Sequence, residues 1–341
     1  MNRPIVSVIL PVYNGSKYLR DSVLSILNQN ISDIELIAIN DASSDDSENI
    51  LKEFTDRRII HISNSTNIGL ASTLNFGIEA SKGLFIARMD QDDIAEPHRL
   101  GMQVQAFKKD NSLGVCGSNF QSFGAGGVNK SNYPSDHENI FTNLLFYNCI
   151  AHPTVMIRKA ILTEYDLRYN KEFDWAEDFD LWTRARHLTK MLNLENSLLR
   201  YRINSSSMTS SGTNKVHVTV GKINKRSLLE LGINPSEEDL NLHLNIGHHL
   251  VDPSNYHLIR KTNDYLSQIV LKNKEFKIYS EEILKGVIAK FWNPLLLKMS
   301  EENRFELLNQ DLSKYLNSKE DIYWKLKNVQ WKRKMKNFVG K

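Results

Sequence analysis

A chain of 341 residues is long enough for one large domain and a smaller one, with ample material for a core. With 41% hydrophobic and 24% charged residues, and no low-complexity tract or obvious repeat, the composition argues against a disordered chain and against a solenoid. The two cysteines, Cys116 and Cys149, match no metal-ligand spacing, so the sequence also argues against a zinc site or a disulfide framework.

The N-terminus enters an apolar segment within a few residues and lacks the regions of a secretory signal, so we expect the protein in the cytoplasm. The net charge of +3 conceals an asymmetry. Residues 322–341 hold seven lysines and arginines and no acid, which leaves 36 basic against 40 acidic residues in the rest of the chain. Such a tail suits an anionic partner, either phospholipid or nucleic acid.

Apolar and amphipathic segments alternate through the first ninety residues. Residues 5–10 predict a strand with a helix after it, and a capping box of Asp45 and Glu48 predicts the start of a second helix. Further strands and a third helix are predicted at 34–39, 59–62, 84–89 and about 70–81. Four strands alternating with three helices are typical of right-handed crossovers and a parallel sheet.

The turn after the first strand, residues 11–16, lacks the pattern G-x-G-x-x-G, which argues against a dinucleotide cofactor. The pattern G-x-x-x-x-G-K-[ST] is absent from the sequence, so there is no phosphate-binding loop of that type either. Any phosphate groups on a ligand would have to be neutralised in another way.

The second half of the chain predicts a mixture of elements. A helix follows Pro97, and the glycine cluster at 124–127 predicts a flexible loop. Further strands and helices are predicted at 113–117, 139–146, 154–157, 177–187 and 198–202. The polar stretch 204–214 is the best candidate for a domain boundary, which predicts a nucleotide-binding α/β domain at 1–210 and a helical region at 211–341.

Three acids, Asp90, Asp92 and Asp93, follow the apolar strand at 84–89, where ligands collect in α/β sheets. In extended geometry Asp90 and Asp92 project to the same side, where they can hold one Mg²⁺ or Mn²⁺ together with a substrate diphosphate. The alternative is that Asp92 and Asp93 only form a turn and cap the helix after Pro97.

Tyr13 and Asp41 follow the first and second strands and should lie at the same sheet edge as Asp90. An aromatic face can stack on a nucleobase, and a carboxylate can accept hydrogen bonds from its N–H groups. Alternatively, Tyr13 is a packed turn residue and Asp41 begins an Asx turn.

Glu177 and Asp178 open a predicted helix after an aromatic-rich segment. A carboxylate there can act as the general base that removes the proton of an alcohol. Alternatively, the two acids only complement the helix macrodipole, which would lower their pKa and weaken such a base.

Four segments in this order and spacing resemble a known family: Pro11-Val-Tyr-Asn14, Asn40-Asp-Ala-Ser-Ser-Asp45, Ala87-Arg-Met-Asp-Gln-Asp-Asp93 and Ala176-Glu-Asp-Phe-Asp-Leu-Trp182. Residues 4–210 look like a family 2 glycosyltransferase. The resemblance implies a GT-A fold, Rossmann-like with a mostly parallel sheet flanked by helices. It also implies inverting transfer of a hexose or N-acetylhexosamine from a UDP-sugar to a glycan or lipid-linked glycan, in bacterial capsule, lipopolysaccharide or exopolysaccharide synthesis.

Site residues follow from the resemblance by position. The nucleotide-sugar-binding residues would be Pro11, Val12, Tyr13, Asn14, Asp41, Arg88, Asp90 and Gln91. Asp92, with Asp90, would bind Mn²⁺ or Mg²⁺, and Asp178, beside Glu177, would be the base.

Two residues depart from the family pattern. Many relatives have a glycine where this chain has Ala42, which concerns only the local turn. After Arg202 many relatives place a histidine near the diphosphate, whereas this chain has Asn204, so a third contact to metal or phosphate is in question. His152 resembles relatives and could face the acceptor, although a lone histidine is more often structural.

Two other functions compete with glycosyl transfer. A sugar nucleotidyltransferase would carry a glycine- and basic-rich N-terminal phosphate loop, which this sequence lacks. A non-catalytic nucleotide-sugar-binding subunit of a polysaccharide complex would keep Tyr13 and Asp41 without needing Asp178. The presence of both acid clusters favours catalysis.

The basic tail predicts a helix with two apolar stripes at 100° per residue. One stripe consists of Ile322, Leu326 and Val329, and the other of Trp324, Trp331, Met335 and Phe338. Tryptophans flanked by lysines and arginines suit the headgroup region of an anionic membrane, so we expect peripheral attachment to the inner face of the plasma membrane and no nucleic acid partner. Alternatively, the aromatic stripe closes the C-terminal helical core or a dimer interface.

Overall fold

The computed structural model describes residues 3–125, 127–204 and 213–316. The basic tail at 322–341 and the expected domain boundary near residue 210 lie outside these residues. The chain divides into two compact units. The first runs to Leu144 and resumes over Asn148–Ile223, and the second comprises Leu145–Tyr147 and the described residues from Asn224 onward.

The first unit is built on one mixed sheet, which has eight strands within the described residues, in the order β3-β2-β1-β4-β7-β6-β8-β5. The strands are β1 Val6–Val12, β2 Ile34–Asn40, β3 Ile59–Ser63, β4 Phe85–Arg88, β5 Ile94–Ala95, β6 Leu113–Gly124, β7 Met156–Arg158 and β8 Lys190–Ile203. Strand β1 is parallel to β2 and β4, and β2 to β3, which confirms the predicted α/β class. Strand β7 is antiparallel to β4 and β6.

Strand register places the predicted site residues at one edge. Val12 lies opposite Asn40, and Ile9 opposite Arg88. The residues that follow β1, β2 and β4 therefore leave the sheet side by side, as the sequence predicts.

The helices of the first unit flank this sheet, and the start of α8 also belongs to it. They are α1 Ser16–Leu27, α2 Ser47–Lys52, α3 Leu70–Ala80, α4 Arg99–Lys109, α5 His137–Asn143, α6 Lys159–Glu164, α7 Glu177–Ala185 and α8 Thr213–Glu230. Helix α1 buries Leu19, Val23 and Ile26 at the spacing of one helical face, against a core that includes β1 residues such as Val8 and Leu10.

The predicted capping box is wrong. Helix α2 begins at Ser47 without a side-chain cap, because the Asp45 carboxylate accepts hydrogen bonds from the N–H groups of Ser16 and Ser47 instead. Glu48 accepts a hydrogen bond from the side chain of Asn40 at 2.7 Å. Both acids therefore connect neighbouring loops at the sheet edge.

Some predicted boundaries also differ, and one short strand is absent from the predicted elements. The strand expected at 154–157 is a 3₁₀ turn, His152–Thr154, followed by β7. The short strand β5, which pairs with β8, precedes α4. The predicted helix at 139–146 is α5, which ends at Asn143.

The second unit is helical, as predicted for the C-terminal region. Its further helices are α9 Glu237–Gly247, α10 Tyr256–Phe276, α11 Glu281–Lys298, α12 Glu301–Leu308 and α13 Asp311–Tyr315. No described helix combines the length and the apolar character that a membrane crossing requires.

The segment Leu145–Tyr147 is held inside this unit by His243. The imidazole is fully buried, its Nε2 donates to Leu145 O at 2.7 Å, and its Nδ1 accepts from the hydroxyl of Tyr265 at 2.9 Å. The Phe146 ring stacks on it with centroids 5.0 Å apart. Burial lowers the pKa of His243 to about 4, so the ring stays neutral and serves packing.

Gly247 tests how closely this segment is packed. A Cβ at Gly247 would lie 2.3 Å from Phe146 O, whereas one at Gly286, on an exposed face of α11, meets nothing within 4 Å. We expect Gly247→Ala to lower the free energy of unfolding by about 1–3 kcal/mol. The matched control Gly286→Ala should raise it by about 0.5–1 kcal/mol. Urea unfolding of both variants measures the difference, and equal stabilities would contradict it.

Candidate active site

The acidic segment after β4 forms a turn. Strand β4 ends at Arg88, the Asp93 N–H lies 3.4 Å from Asp90 O, and the Ser22 hydroxyl donates to Asp93 O at 2.6 Å. The extended geometry expected for Asp90 and Asp92 is therefore wrong, because the chain reverses here to enter β5.

Asp90 is paired with the buried Arg88. The guanidinium contacts both carboxylate oxygens, with Nη1 2.9 Å from Oδ2 and Nη2 2.6 Å from Oδ1. Burial would lower the pKa of Arg88, but the negative groups around it, Asp90 foremost, raise it. Arg88 thus holds the acid in place, and the Asp90 side chain remains 32% exposed.

Asp92 and Asp93 occupy different environments. Burial, and then the charge of Asp90, raise the pKa of Asp92 to about 6. Its Oδ2 accepts from the Asn204 amide at 2.7 Å. Asp93 is fully buried, its Oδ1 accepts from the N–H of Arg202 at 2.8 Å, and its pKa is raised well above the ordinary value by burial and then Asp90. Asp93 therefore anchors the turn to β8.

Two carboxylates fit a divalent cation here. Asp90 is accessible, and Asp92 carries a raised pKa beside a like charge, which a cation would relieve. Within the described ranges no group of three or more His, Cys, Asp or Glu residues is arranged to hold a metal. Mg²⁺ is usually held by one or two carboxylates, with water and phosphate at the remaining positions.

The loop after β1 is connected to neighbouring loops by hydrogen bonds between side chains and backbone groups. Gln91 bonds both backbone groups of Tyr13, at 2.7 and 2.9 Å. Asn14 has a left-handed backbone, φ 51°, and its Oδ1 accepts from the N–H of Ser44 at 2.8 Å. The Tyr13 ring is 49% exposed and free to stack on a ligand. The other members of this predicted set, Pro11 and Val12, are buried inside β1.

Asp41 organises the loop before α3. It is 4% exposed and accepts from the Asn64 amide at 2.8 Å and from the N–H groups of Ile68 and Gly69 at 2.9 Å each. A carboxylate has about four acceptor positions, so about one remains for a ligand. The Asx-turn alternative is wrong, because the side chain reaches a distant loop.

Ala42 adopts the left-handed conformation that glycine favours, with φ 58°. The turn therefore forms despite the sequence departure, at a cost of about 1 kcal/mol for the Cβ. The side-chain oxygen of Asn40 supports it by accepting from the N–H of Ser43 at 3.1 Å.

Asp178 lies at the start of α7, with one oxygen held by the Asn148 amide at 2.7 Å and the other by the N–H of Phe179 at 2.7 Å. Burial raises its pKa despite these hydrogen bonds. This direction is opposite to the lowered pKa of the macrodipole alternative, because burial outweighs the hydrogen bonds that Asp178 accepts. A raised pKa strengthens this carboxylate as a base.

Glu177 lies in a more enclosed environment, 5% exposed. Burial, and then the charge of Asp178, raise its pKa to about 8, so it is protonated at neutral pH. Its Oε1 lies 3.7 Å from Nδ1 of His152, whose pKa burial lowers well below the ordinary value. Nε2 of this neutral ring contacts the Tyr169 hydroxyl at 3.1 Å. Glu177 and His152 thus form a neutral layer beside Asp178.

Several residues of this site have no sequence signal that singled them out. Asn148 and Tyr169 are single polar residues on loops. Arg99 is buried in α4 and donates to Arg88 O at 2.6 Å, although burial lowers its pKa to about 9. Arg202 donates to Asp92 O at 2.8 Å and lies over the ring of Tyr18. The buried face of α4 also carries Gln103, whose side-chain oxygen lies 3.3 Å from Nε of Arg99.

The protonated state of Glu177 has a consequence for stability. Its folded pKa is about 8 and its ordinary value 4.5, so between these values the folded chain holds a proton that the unfolded chain releases. Stability therefore falls as pH rises through this interval. In Glu177→Gln, we expect the decrease in the free energy of unfolding between low and high pH to be smaller than in the wild type by on the order of 3 kcal/mol. Denaturant unfolding from pH 5 to 9 measures it. Glu172→Gln, at an exposed position, should keep the wild-type slope, and an unchanged slope in Glu177→Gln would contradict the assignment.

The model of the family "Glycosyl transferase family 2" matches residues 7–164. The Escherichia coli O-antigen biosynthesis glycosyltransferase WbnJ is 35% identical over 61% of this chain and 83% of its own length. Among solved structures, S. aureus TarS 1–349 in complex with UDP-GlcNAc has a TM-score of 0.56 at 18% identity, covering 94% of this chain and 91% of that one.

The mannosyltransferase PcManGT from Pyrobaculum calidifontis, in complex with GDP-Man and Mn²⁺, has a TM-score of 0.52 at 13% identity over 93% and 86% of the two chains. These two structures share the fold, with a mixed sheet flanked by helices. The chain therefore belongs to glycosyl transferase family 2 and has the GT-A fold.

Proposed function

We propose that this protein transfers a hexose or N-acetylhexosamine from a UDP-sugar to a hydroxyl of a glycan, with inversion at the anomeric carbon. The observation that carries the proposal is Asp178, a carboxylate of raised pKa that Asn148 fixes at the start of α7. Arg88 binds Asp90, and the charge of Asp178 also contributes to raising the pKa of Arg88. The proposed base and the acidic turn therefore belong to one electrostatic cluster.

The nucleotide end of the donor is assigned to the edge formed after β1 and β2. The exposed Tyr13 ring offers a stacking face, and the remaining acceptor position of Asp41 suits a base N–H. TarS, which shares the fold, has been solved with UDP-GlcNAc, which supports a UDP-sugar.

Asp92 and Asp90 would hold Mn²⁺ or Mg²⁺. When bound, the ion supplies positive charge that neutralises the departing diphosphate. PcManGT, with the same fold, contains Mn²⁺. Asn204 and Arg202 position Asp92 from β8, through its carboxylate and its carbonyl group.

The chemical step needs one base. Asp178 accepts the proton of the acceptor hydroxyl while that oxygen forms a bond to the anomeric carbon. The bond from this carbon to the diphosphate oxygen breaks, and UDP leaves with the electron pair. Attack opposite the leaving group inverts the configuration at the anomeric carbon. Because Glu177 is neutral, it places no second negative charge beside Asp178.

The acceptor is assigned to bacterial surface polysaccharide synthesis because WbnJ is an O-antigen biosynthesis glycosyltransferase. A non-catalytic nucleotide-sugar-binding subunit is the competing function. The raised pKa and fixed position of Asp178 favour catalysis, since a binding subunit needs neither.

The deciding experiment measures UDP release from a panel of nucleotide sugars with purified protein. Asp178→Asn should lower kcat by about 10²- to 10⁴-fold, because the base is lost. UDP affinity should change little, since the base acts on the acceptor. Asp174→Asn, at an exposed acid before α7, is the control and should retain turnover. Full activity in Asp178→Asn would sink the base assignment, and a collapse of UDP affinity would make it a donor contact.

Turnover should also require a divalent cation. Excess EDTA should stop transfer, and Mn²⁺ or Mg²⁺ should restore it. Asp92→Asn keeps the shape but removes a charge, so it should weaken metal-dependent UDP binding roughly tenfold or more. Asp21→Asn, an exposed acid on α1, should bind like the wild type. Undiminished activity in EDTA would exclude the metal requirement.

A further inference from the structure

A concave surface of the first unit lies between α3 and the segment 166–171, with a volume of about 460 Å³. No member of the acidic turn lines it, and neither does Glu177 or Asp178. Three of its lining side chains are cationic and one is acidic, and they are Arg168, Lys171, Arg184 and Asp166.

The charges of this cavity are not balanced. Arg184 is neutralised by Asp180, whose Oδ2 lies 2.9 and 2.7 Å from its Nε and Nη2. Arg168 lies 3.7 Å from Asp166, but that acid is 92% exposed, so the pair is weak. Lys171 is exposed and has no hydrogen-bond or ion-pair partner among the residues that the structure describes. Arg168 Nη1 also donates to Leu162 O and Leu167 O at 2.8 Å each, so the rest of this guanidinium and the Lys171 ammonium remain for a ligand.

The cavity wall is held in place before any ligand binds. The Asn75 side chain bonds both backbone groups of Tyr169, at 2.7 and 3.0 Å. Arg184 donates to Arg168 O at 2.6 Å. The side-chain oxygen of Asn170 accepts from the N–H of Glu172 and begins the 3₁₀ turn Lys171–Phe173. These contacts fix the backbone that carries Arg168 and Lys171, so little backbone entropy is lost on binding.

The cavity wall is also connected to the proposed base, Asp178. Tyr169 lines the cavity with part of its surface, and its hydroxyl contacts His152, which lies next to Glu177. The same chain segment runs directly into the start of α7, where Asp178 lies. The cavity is therefore connected to the proposed base through the contacts of Tyr169, His152 and Glu177.

We propose that this cavity binds a phosphate or carboxylate group of the acceptor glycan, through Lys171 and Arg168. The acceptor of this enzyme is then an anionic polymer. The inference rests on the proposed function, because only a glycosyltransferase has a glycan acceptor. Anion binding in the cavity can nevertheless be measured independently of that function.

The test uses the full chain without donor and three probes: short-chain polyphosphate, hexagalacturonate and neutral maltohexaose. We expect calorimetry to show binding of at least one anionic probe and no comparable binding of maltohexaose. Lys171→Gln should weaken that binding about tenfold, whereas Lys171→Arg should restore most of it. The double control Lys108→Gln with Lys109→Gln, at exposed positions on α4, should bind like the wild type. The preferred anionic probe distinguishes a phosphate from a carboxylate source.

Equal losses in Lys171→Gln and in the α4 control would overturn the inference, because they would indicate nonspecific charge attraction. Equal binding of maltohexaose would overturn it as well. UDP affinity and UDP-sugar turnover of the wild-type protein are measured in parallel. A protein that turns over donor but shows no Lys171-dependent binding refutes the cavity assignment alone, whereas absence of UDP binding refutes the proposed function.

Discussion

The ion pair between the buried Arg88 and the partly exposed Asp90 is the interaction on which the site depends. A family 2 glycosyltransferase of this kind gathers carboxylates on two elements, the turn after β4 and the start of α7, and like charges in a buried place repel each other. Arg88 binds Asp90 through both oxygens, and its charge lowers the pKa of Glu177 and Asp178 against the effect of burial. Removing this guanidinium would leave the cluster uncompensated, which is far more costly than losing one hydrogen bond.

The loops around this pair are rigid for a second reason, since each is bonded to a different strand end. Gln91 holds the backbone of Tyr13, Asn14 holds the loop after β2, and Asp41 holds the loop before α3. The geometry of the edge is thereby over-determined, and left-handed residues such as Ala42 are tolerated within it.

The sequence predicts the parallel half of the sheet well, because alternating apolar and amphipathic segments such as 5–10 and 34–39 report burial directly. It also places Asp41 and Asp90 at one edge, since that follows from strand direction alone. The sequence does not predict the contacts of Asp45, which depend on a distant loop. It also does not predict the geometry of Asp92, which depends on a turn that no local pattern encodes. The direction of the Asp178 pKa shift could not be predicted either, because its burial and its contact with Asn148 are set by the tertiary fold.

The crowding around the Asp41 carboxylate also bears on which base the protein selects. Three of its acceptor positions are occupied by Asn64, Ile68 and Gly69. One free position satisfies the single imide N–H of uracil in the proposed site. The guanine edge presents two adjacent donors, and one of them would lose its hydrogen bond to water without gaining another. In the proposed nucleotide site, the contacts that fix this loop would therefore also favour uracil over guanine.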